Sequence, residues 1–156
     1  MQQQSAPHWA ICPNCDFVFY NNPAPCVSLL FYQDGQVLLA RRGIEPQKGK
    51  WDLVGGFINT GESGEAAAVR EAKEETGLKT KIKQYLGSVA DIYGDTLVPT
   101  LNLVYWLEII SGAIKAQDDV AELKWFDLKQ VLKDLAFHNV RVAIDLLKAE
   151  IHYNEV

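Results

Sequence analysis

Three features of the 156-residue sequence predict an α/β fold. Two short apolar runs, 27–32 and 37–40, flank Asp34-Gly35, which is typical of a β-hairpin because both residues tolerate positive φ. Residues 65–76 are rich in alanine and contain no proline or glycine, so they favour a helix. Residues 97–110 form a long strand candidate whose proline stands near its start, where a missing donor is tolerable. The main part of the chain is therefore predicted to be one α/β unit.

Composition and charge exclude several classes of protein. Hydrophobic residues at 48% and charged residues at 22% argue against a disordered, collagen-like or coiled-coil chain. The formal charge of −5 argues against general nucleic-acid binding by a basic surface. The apolar stretches are too short to cross a bilayer, the first seven residues do not resemble a signal peptide, and three cysteines disfavour a disulfide framework. We therefore expect a cytoplasmic protein that does not act at a membrane, and an anionic substrate would require a cation at its site.

The first 25 residues differ from the rest of the chain. They contain a glutamine-rich start, a turn at Cys12-Pro13-Asn14-Cys15, and a proline-rich connector at 21–25. We predict a division into an N-terminal segment, residues 1–25, and a main domain, residues 26–156.

The remaining elements follow in order. Residues 51–58 and 123–126 are predicted to be short strands, and the alternating lysines of 79–84 predict a strand with a solvated face. Ser63 and Gly77 are suited to cap the helix between them. Asp127 is a predicted N-cap for a helix through about residue 135. Asn139 is a predicted N-cap for a last helix with one apolar face, formed by Val140, Ala143, Ile144 and Leu147.

Three glutamates on the first helix are the strongest functional feature. Glu71, Glu74 and Glu75 stand at i, i+3 and i+4, so they share one face of the helix. Two unit charges about 4 Å apart repel by up to roughly 4 kcal/mol near a protein surface. Such a cluster is either a solvated face partly balanced by Arg70 and Lys73, or a site for Mg²⁺ or Mn²⁺, which prefer carboxylate oxygens.

The surrounding residues favour the metal site. Gly56, Glu62 and the stretch 70–78 resemble the signature G-x5-E-x7-R-E-U-x-E-E-x-G-U of the Nudix hydrolases, in which U is a bulky aliphatic residue. All seven fixed residues are present at the required spacing. Ala72 departs from the signature at a U position, which we interpret as a change in packing.

The resemblance implies an α/β/α sandwich with a mixed sheet and helices on both faces. It implies that Glu71, Glu74 and Glu75 bind Mg²⁺ or Mn²⁺, joined by the backbone carbonyl of Gly55, and that Gly56 lies at the substrate. Arg70 and Glu62 would support the loop and orient the carboxylates. One of the glutamates, or an acid from a later loop, would activate the attacking water.

Flanking residues complete the predicted site. Arg41 and Arg42 are candidates for binding phosphate oxygens, which arginine contacts in a bidentate manner. Nudix proteins often use an extra carboxylate downstream of the signature, and we favour Glu122 for that role over Asp118 and Asp119. A further segment is expected to line the substrate pocket, and it contains Asp91, Tyr93 and Asp95.

The cysteine turn leaves two interpretations open. Cys12 and Cys15, followed by residues 19–23, resemble the second half of the zinc ribbon found ahead of the domain in NADH pyrophosphatase-like Nudix proteins. A structural zinc site needs four ligands, and the first cysteine pair of the ribbon is missing. His8 and Cys26, or a second chain, would have to complete the site. We therefore favour free thiols over bound Zn²⁺.

The subclass is not determined by the sequence. The motif that follows the signature in NADH pyrophosphatases is absent, and so is the proline that ADP-ribose hydrolases tend to carry about fifteen residues after it. The resemblance implies a metal-dependent pyrophosphohydrolase acting on a nucleoside diphosphate linked to another moiety, such as ADP-ribose or an NADH-like dinucleotide. A hydrolase that clears nucleoside triphosphates and a non-catalytic nucleotide sensor are the alternatives, and a homodimer is possible in each case.

Overall fold

The N-terminal part of the chain forms a small hairpin. The structure is a computed structural model that describes residues 9–130 and 134–154. Strand β1 (Trp9–Ile11) pairs antiparallel with β2 (Val18–Tyr20), and the cysteine turn connects them. All six strand residues are exposed. Two strands of this length with no buried face form a small unit outside the main core.

The main sheet begins with the predicted hairpin. Strand β3 (Ala24–Gln33) turns through Asp34 and Gly35, both at positive φ, into β4 (Gln36–Arg42). Strand β5 is limited to Trp51–Asp52, so the predicted strand over 51–58 is mostly wrong. The residues after Asp52 remain beside β3 through isolated bridges only, because two glycines redirect the chain at 55–56.

The signature helix α1 spans Gly64–Thr76 as its sequence predicts. The Ser63 side chain accepts a hydrogen bond from the Ala66 N–H, and Gly77 adopts the left-handed conformation of a C-cap, with φ 72°. Strand β6 runs from Lys79 to Ile92, much further than predicted, because it pairs antiparallel with β7 (Pro99–Ser111) along nearly its whole length. The alternating lysines at its start are exposed, as expected.

The C-terminal part contributes an edge strand and a helix. Strand β8 (Val120–Asp127) pairs with β4, and helix α2 spans His138–Asn154. The helix predicted after Asp127 is replaced by a turn over 128–130, and its residues 131–133 lie outside the described part of the chain. Asn139 is wrong as an N-cap, because it lies inside the first turn of α2, where its backbone N–H donates to Asp91.

The sheet is mixed and is covered on both faces. Its order is β5-β4-β3-β7-β6, with β8 paired to β4; β3 and β7 are parallel and the other pairs antiparallel. Val27, Leu29 and Phe31 pack with the alanines of α1, whereas Leu30 packs with α2. Because adjacent strand residues face opposite sides, the two helices cover opposite faces of the sheet. The predicted α/β/α sandwich is confirmed.

Ala72 occurs where a bulky residue was expected, and it is fully buried against the sheet. Val69, on the same helix, is 40% exposed. The predicted apolar face of α2 is confirmed, since Val140, Ala143 and Leu147 are all fully buried. No helix in the described ranges is both long and apolar enough to cross a membrane.

Candidate active site

Arg70 connects most of the carboxylates of the signature. Its Nε and Nη2 donate to the two carboxylate oxygens of Glu62 at 2.8 Å each, and its Nη1 donates to Glu71 at 2.6 Å and Glu74 at 3.0 Å. Nη2 also donates to the Phe57 carbonyl. These hydrogen bonds hold the pKa of Glu62 down at about 2 and raise the pKa of Arg70. The predicted pairing with Glu74 is present, but it is one of several contacts through which Arg70 fixes the loop onto the helix.

Glu71 is buried against Gly56. A Cβ at position 56 would lie 2.5 Å from a carboxylate oxygen of Glu71, so only glycine leaves room for this side chain in its present position. Burial raises the pKa of Glu71, opposed by the hydrogen bond from Arg70. The Gly56 carbonyl accepts a hydrogen bond from Val27, which ties the glycine to β3. Gly56 was predicted to lie at the substrate; it lines the cavity described below, and its direct contact is with Glu71.

Glu75 is held by the neighbouring glycine. Its carboxylate accepts a hydrogen bond of 2.9 Å from the Gly55 N–H, so Gly55 contributes its amide here, whereas its carbonyl was the predicted metal ligand. Gly55 has φ 148°, and a Cβ would lie 2.0 Å from the Val27 carbonyl. Burial is the main cause that raises the pKa of Glu75 to about 8; the hydrogen bond from Gly55 opposes the rise, and the charges of Glu71, Asp52 and Asp118 contribute to it. Ionisation of a carboxyl that is buried among other acids is therefore unfavourable.

Two further acids join this cluster: Asp118, which the sequence analysis placed second to Glu122, and Asp52, which it did not single out. Asp118, which follows the signature by a long interval, has a charge that raises the pKa of both Glu71 and Glu75. Asp52 acts on Glu75 in the same way from β5. The favoured downstream acid, Glu122, lies on β8 and pairs with Arg41 at 3.6 Å. Glu122 thus contacts Arg41 across the β4–β8 pair, whereas Asp118 lies in the turn before β8 and its charge acts on the buried glutamates; Glu122 as the downstream acid stays a prediction.

The two candidate phosphate ligands differ in their surroundings. Arg41 is half exposed, and its Nε donates to the Gly49 carbonyl at 2.9 Å. Arg42 is largely buried, and its guanidinium donates to three acceptors, Pro46 O at 2.6 Å, Asp52 at 2.9 Å and the Tyr93 hydroxyl at 3.0 Å. It also lies over the ring of Phe137 at 4.9 Å. Arg42 thus joins four segments of the fold, and Arg41 is the more accessible of the two for a phosphate.

A cavity lies beside the glutamates. It is lined by Glu75 and Gly55, by the aromatic rings of Phe57 and Tyr93, and by polar residues of β3, β7 and the start of α2. Asp91 and Tyr93 line it as predicted, while Asp95 does not contribute. Within the described part of the chain, no three His, Cys, Asp or Glu side chains are already arranged around one point as metal ligands. In this arrangement Arg70 and the Gly55 amide occupy the carboxylate oxygens instead.

Comparison with known proteins identifies the class to which this fold and site belong. The family profile described as "NUDIX domain" matches residues 22–146. The match covers most of the chain, so the protein belongs to the Nudix family, as its signature predicts. The family resemblance, the fold and the hydrolase class are confirmed by this match and by the relatives below.

Two curated relatives and one solved structure show which Nudix proteins this chain is similar to. The chain is 39% identical over 129 residues to an ADP-ribose pyrophosphatase of Methanocaldococcus jannaschii, covering 83% of this chain and 76% of that one. It is 32% identical over 131 residues to the NAD-capped RNA hydrolase NudC of Pseudomonas aeruginosa, covering 82% of this chain but only 45% of that protein. A solved structure, the Nudix domain of Shewanella oneidensis NrtR complexed with ADP ribose, superimposes with a TM-score of 0.68 at 27% identity, covering 83% and 89% of the two chains.

Proposed function

We propose that this protein is a divalent-metal-dependent pyrophosphohydrolase that cleaves the diphosphate of ADP-ribose or a closely related adenosine diphosphate conjugate. The carrying observation is that every fixed residue of the signature is present and that Glu75, one of its glutamates, lines the cavity. The first relative named above, similar over 83% of this chain, is an ADP-ribose pyrophosphatase.

The residues present fit a hard divalent cation such as Mg²⁺ or Mn²⁺. Glu71, Glu74 and Glu75 supply carboxylate oxygens on one helix face, and Gly56 leaves the space that the Glu71 carboxylate occupies. Burial and the charges of nearby acids raise the pKa of Glu75, so a bound cation would favour its ionised form. These three glutamates would hold the cation. When bound, it would neutralise phosphate oxygens of the substrate and lower the pKa of a water molecule.

Other residues of the site would position the glutamates or bind the substrate. Arg70, which is held by Glu62, would orient the carboxylates of Glu71 and Glu74. A bound cation would replace the Arg70 guanidinium as the partner of these two carboxylates. Arg41 is the proposed phosphate contact, because half of its side chain is accessible, whereas Arg42 would shape the cavity wall. Asp118 is the best-placed candidate for a proton acceptor outside the helix, because its charge already acts on both buried glutamates.

Product analysis over a substrate panel tests the proposal. The panel contains ADP-ribose, NADH, diadenosine polyphosphates, nucleotide sugars and nucleoside triphosphates, each with Mg²⁺, Mn²⁺ or EDTA. We expect cleavage of ADP-ribose to AMP and ribose 5-phosphate with either metal and none with EDTA. Preferential cleavage of triphosphates would favour the pool-clearing alternative. Tight ADP-ribose binding without cleavage would favour the sensor alternative and contradict the proposal.

Five narrower expectations accompany this function. We propose the division of the chain near residue 25, a cytoplasmic location supported by three free cysteines, and no general nucleic-acid binding, supported by the net charge of −5. A homodimer also remains a proposal, testable by light scattering. For the cysteine turn we propose free thiols at Cys12 and Cys15; the possible ligand His8 lies outside the described residues, and Cys26 is buried at the main cavity.

A further inference from the structure

The N-terminal hairpin presents one side made of large apolar side chains. In β1 and β2, Trp9 lies opposite Tyr20, and Ile11 lies opposite Val18. Because opposite residues of an antiparallel pair point to the same side, these four side chains share one surface, which we call the hairpin face. They are 37% to 61% exposed, so the described part of the chain leaves much of this face in contact with water.

A hairpin of this size is not expected to be stable with an apolar face in water. Isolated two-stranded hairpins are marginal, and stable ones gain further strands or pack an apolar face against another element. Within the described ranges, β1 and β2 have three residues each and pair only with one another. A surface that covered the hairpin face would therefore stabilise the hairpin as well as remove its apolar area from water.

Further exposed apolar residues lie at the same end of the main sheet. Residues 21–23 alone separate β2 from β3, so the hairpin ends within about 14 Å of Ala24. Ala24 pairs with Thr100, the second residue of β7, so the turn between β6 and β7 lies at this end of the sheet. In that turn Leu97 is 81% exposed and has φ 61°, a left-handed conformation that non-glycine residues rarely adopt. A strained backbone that exposes a leucine indicates a role for this turn.

The distribution of charge favours a second copy of this chain as the partner. Residues 9–40 contain no lysine or arginine, so a nucleic acid or an anionic lipid surface would find no positive charge beside the hairpin face. The same face on a second copy is uncharged and apolar, and a twofold axis would place it against itself. Because each chain carries a net charge of −5, two copies would repel each other wherever charged surfaces met.

The exposed area is of the size that a dimer needs. Large side chains bury about 150–250 Å² each when fully covered, so the exposed parts of the hairpin face amount to about 400 Å². The exposed parts of Ile92, Leu97 and Val98 add about 200 Å² per copy. Two copies would then bury about 1,200 Å², which reaches the range of specific interfaces.

We propose that the protein forms a homodimer in which the hairpin face of one copy packs on the hairpin face of the other about a twofold axis, with Leu97 at the edge of the interface. The inference specifies the surface for the homodimer proposed above. It is independent of which substrate the enzyme cleaves.

Sedimentation equilibrium of the full chain tests the inference, at about 1 to 100 µM protein in buffer with a thiol reductant and EDTA. We expect the wild type to have twice the monomer mass. Trp9→Ser should raise the dimer dissociation constant by about a hundredfold, because the twofold axis removes the side chain from both sides of the contact. Leu97→Asn should raise it by a smaller factor, about fivefold, and should fold normally because asparagine tolerates the left-handed conformation.

Phe19→Ser is the matched control. Phe19 is 56% exposed against 51% for Trp9, but it lies on the opposite side of the same hairpin, so this variant should dimerise like the wild type. A monomeric wild type would overturn both the homodimer and this surface. A dimer that Trp9→Ser leaves unchanged, or that Phe19→Ser weakens equally, would overturn the surface alone. A dimer that forms only without reductant or without EDTA would be linked by the exposed Cys15 thiol or by a metal ion, and it would also overturn the inference.

Discussion

At the glutamate end of the site the polar groups come mostly from one stretch, residues 55–75, joined by Asp52 and Asp118, whereas at the sheet end they come from β3, β7 and α2. The glutamates and Arg70 contact one another over short sequence separations, up to the 20 residues between Gly55 and Glu75. The hydrogen bond between Ser28 and Asn139 joins residues 111 positions apart. The glutamate end carries most of the charge and is suited to chemistry, whereas the sheet end consists of neutral side chains with Asp91 beside them. Substitutions at the two ends should therefore change different measured quantities.

The largest expected effect lies at the charged end. Glu75→Gln should lower kcat for the preferred substrate by about a thousandfold or more, because a lost carboxylate ligand removes several kcal/mol of transition-state stabilisation. Steady-state kinetics with Mg²⁺ and circular dichroism measure turnover and folding. Glu108→Gln is the control and should leave kcat unchanged. Glu108 is a residue of β7 that forms an exposed ion pair with Lys81. Near-normal turnover in the folded Glu75 variant would contradict the metal-site assignment.

The same substitution should stabilise the metal-free protein at high pH. The pKa of Glu75 is about 8 in the folded protein against 4.5 for a free carboxyl, so ionisation favours the unfolded chain. The stability contributed by protonated Glu75 is complete below pH 4.5 and is lost as the pH rises through about 8. Glu75→Gln should gain about 1.4 kcal/mol over wild type per pH unit in this window.

Urea unfolding in EDTA from pH 4 to 9 measures this difference. Groups that titrate in both proteins cancel, so the difference between the two curves reports Glu75. The prediction is contradicted if the free energies of unfolding of the two proteins differ by a constant amount between pH 4.5 and about 8. Glu75 would then ionise as readily in the folded protein as in the unfolded chain.

Next in size is the contrast between Arg42, which lines the cavity, and Arg41, the preceding residue of β4. Arg42→Ala should lower the free energy of unfolding by about 3 kcal/mol, because it leaves Asp52 buried without its partner. Arg41→Ala should change stability by less than about 1 kcal/mol, since its pair with Glu122 is half exposed. The Arg41 variant should instead raise KM. Equal effects on stability would show that Arg42 does not support the wall as described.

The smallest expected effect concerns the N-terminal hairpin, which belongs to neither end of the cavity. Cys12→Ser should leave both kcat and the melting temperature unchanged if the thiols are free. Elemental analysis of the wild type and a thermal melt of the variant measure this. Stoichiometric zinc in the wild type, together with a lower melting temperature in the variant, would contradict the free-thiol interpretation.

Predictions from sequence succeeded where the determining contacts are local. The caps at Ser63 and Gly77, the turn at Asp34-Gly35 and the glutamate face of α1 all depend on residues within a few positions of each other. They failed where a distant partner decided the outcome. Strand β6 was predicted too short because its length is set by pairing with β7, and Asn139 was misassigned as a cap because Asp91, 48 residues away, binds its N–H.

By itself the sequence determined the family, the sandwich fold, the hydrolase class and the helix face on which the three glutamates stand, because helical spacing and one contiguous signature carry that information. Only the tertiary structure decided which amide holds Glu75, that Asp118 is the acid whose charge acts on Glu71, and that Arg42 braces the wall. Each of these depends on strand register and on hydrogen bonds between segments far apart in the chain, and no local pattern of residue types encodes them.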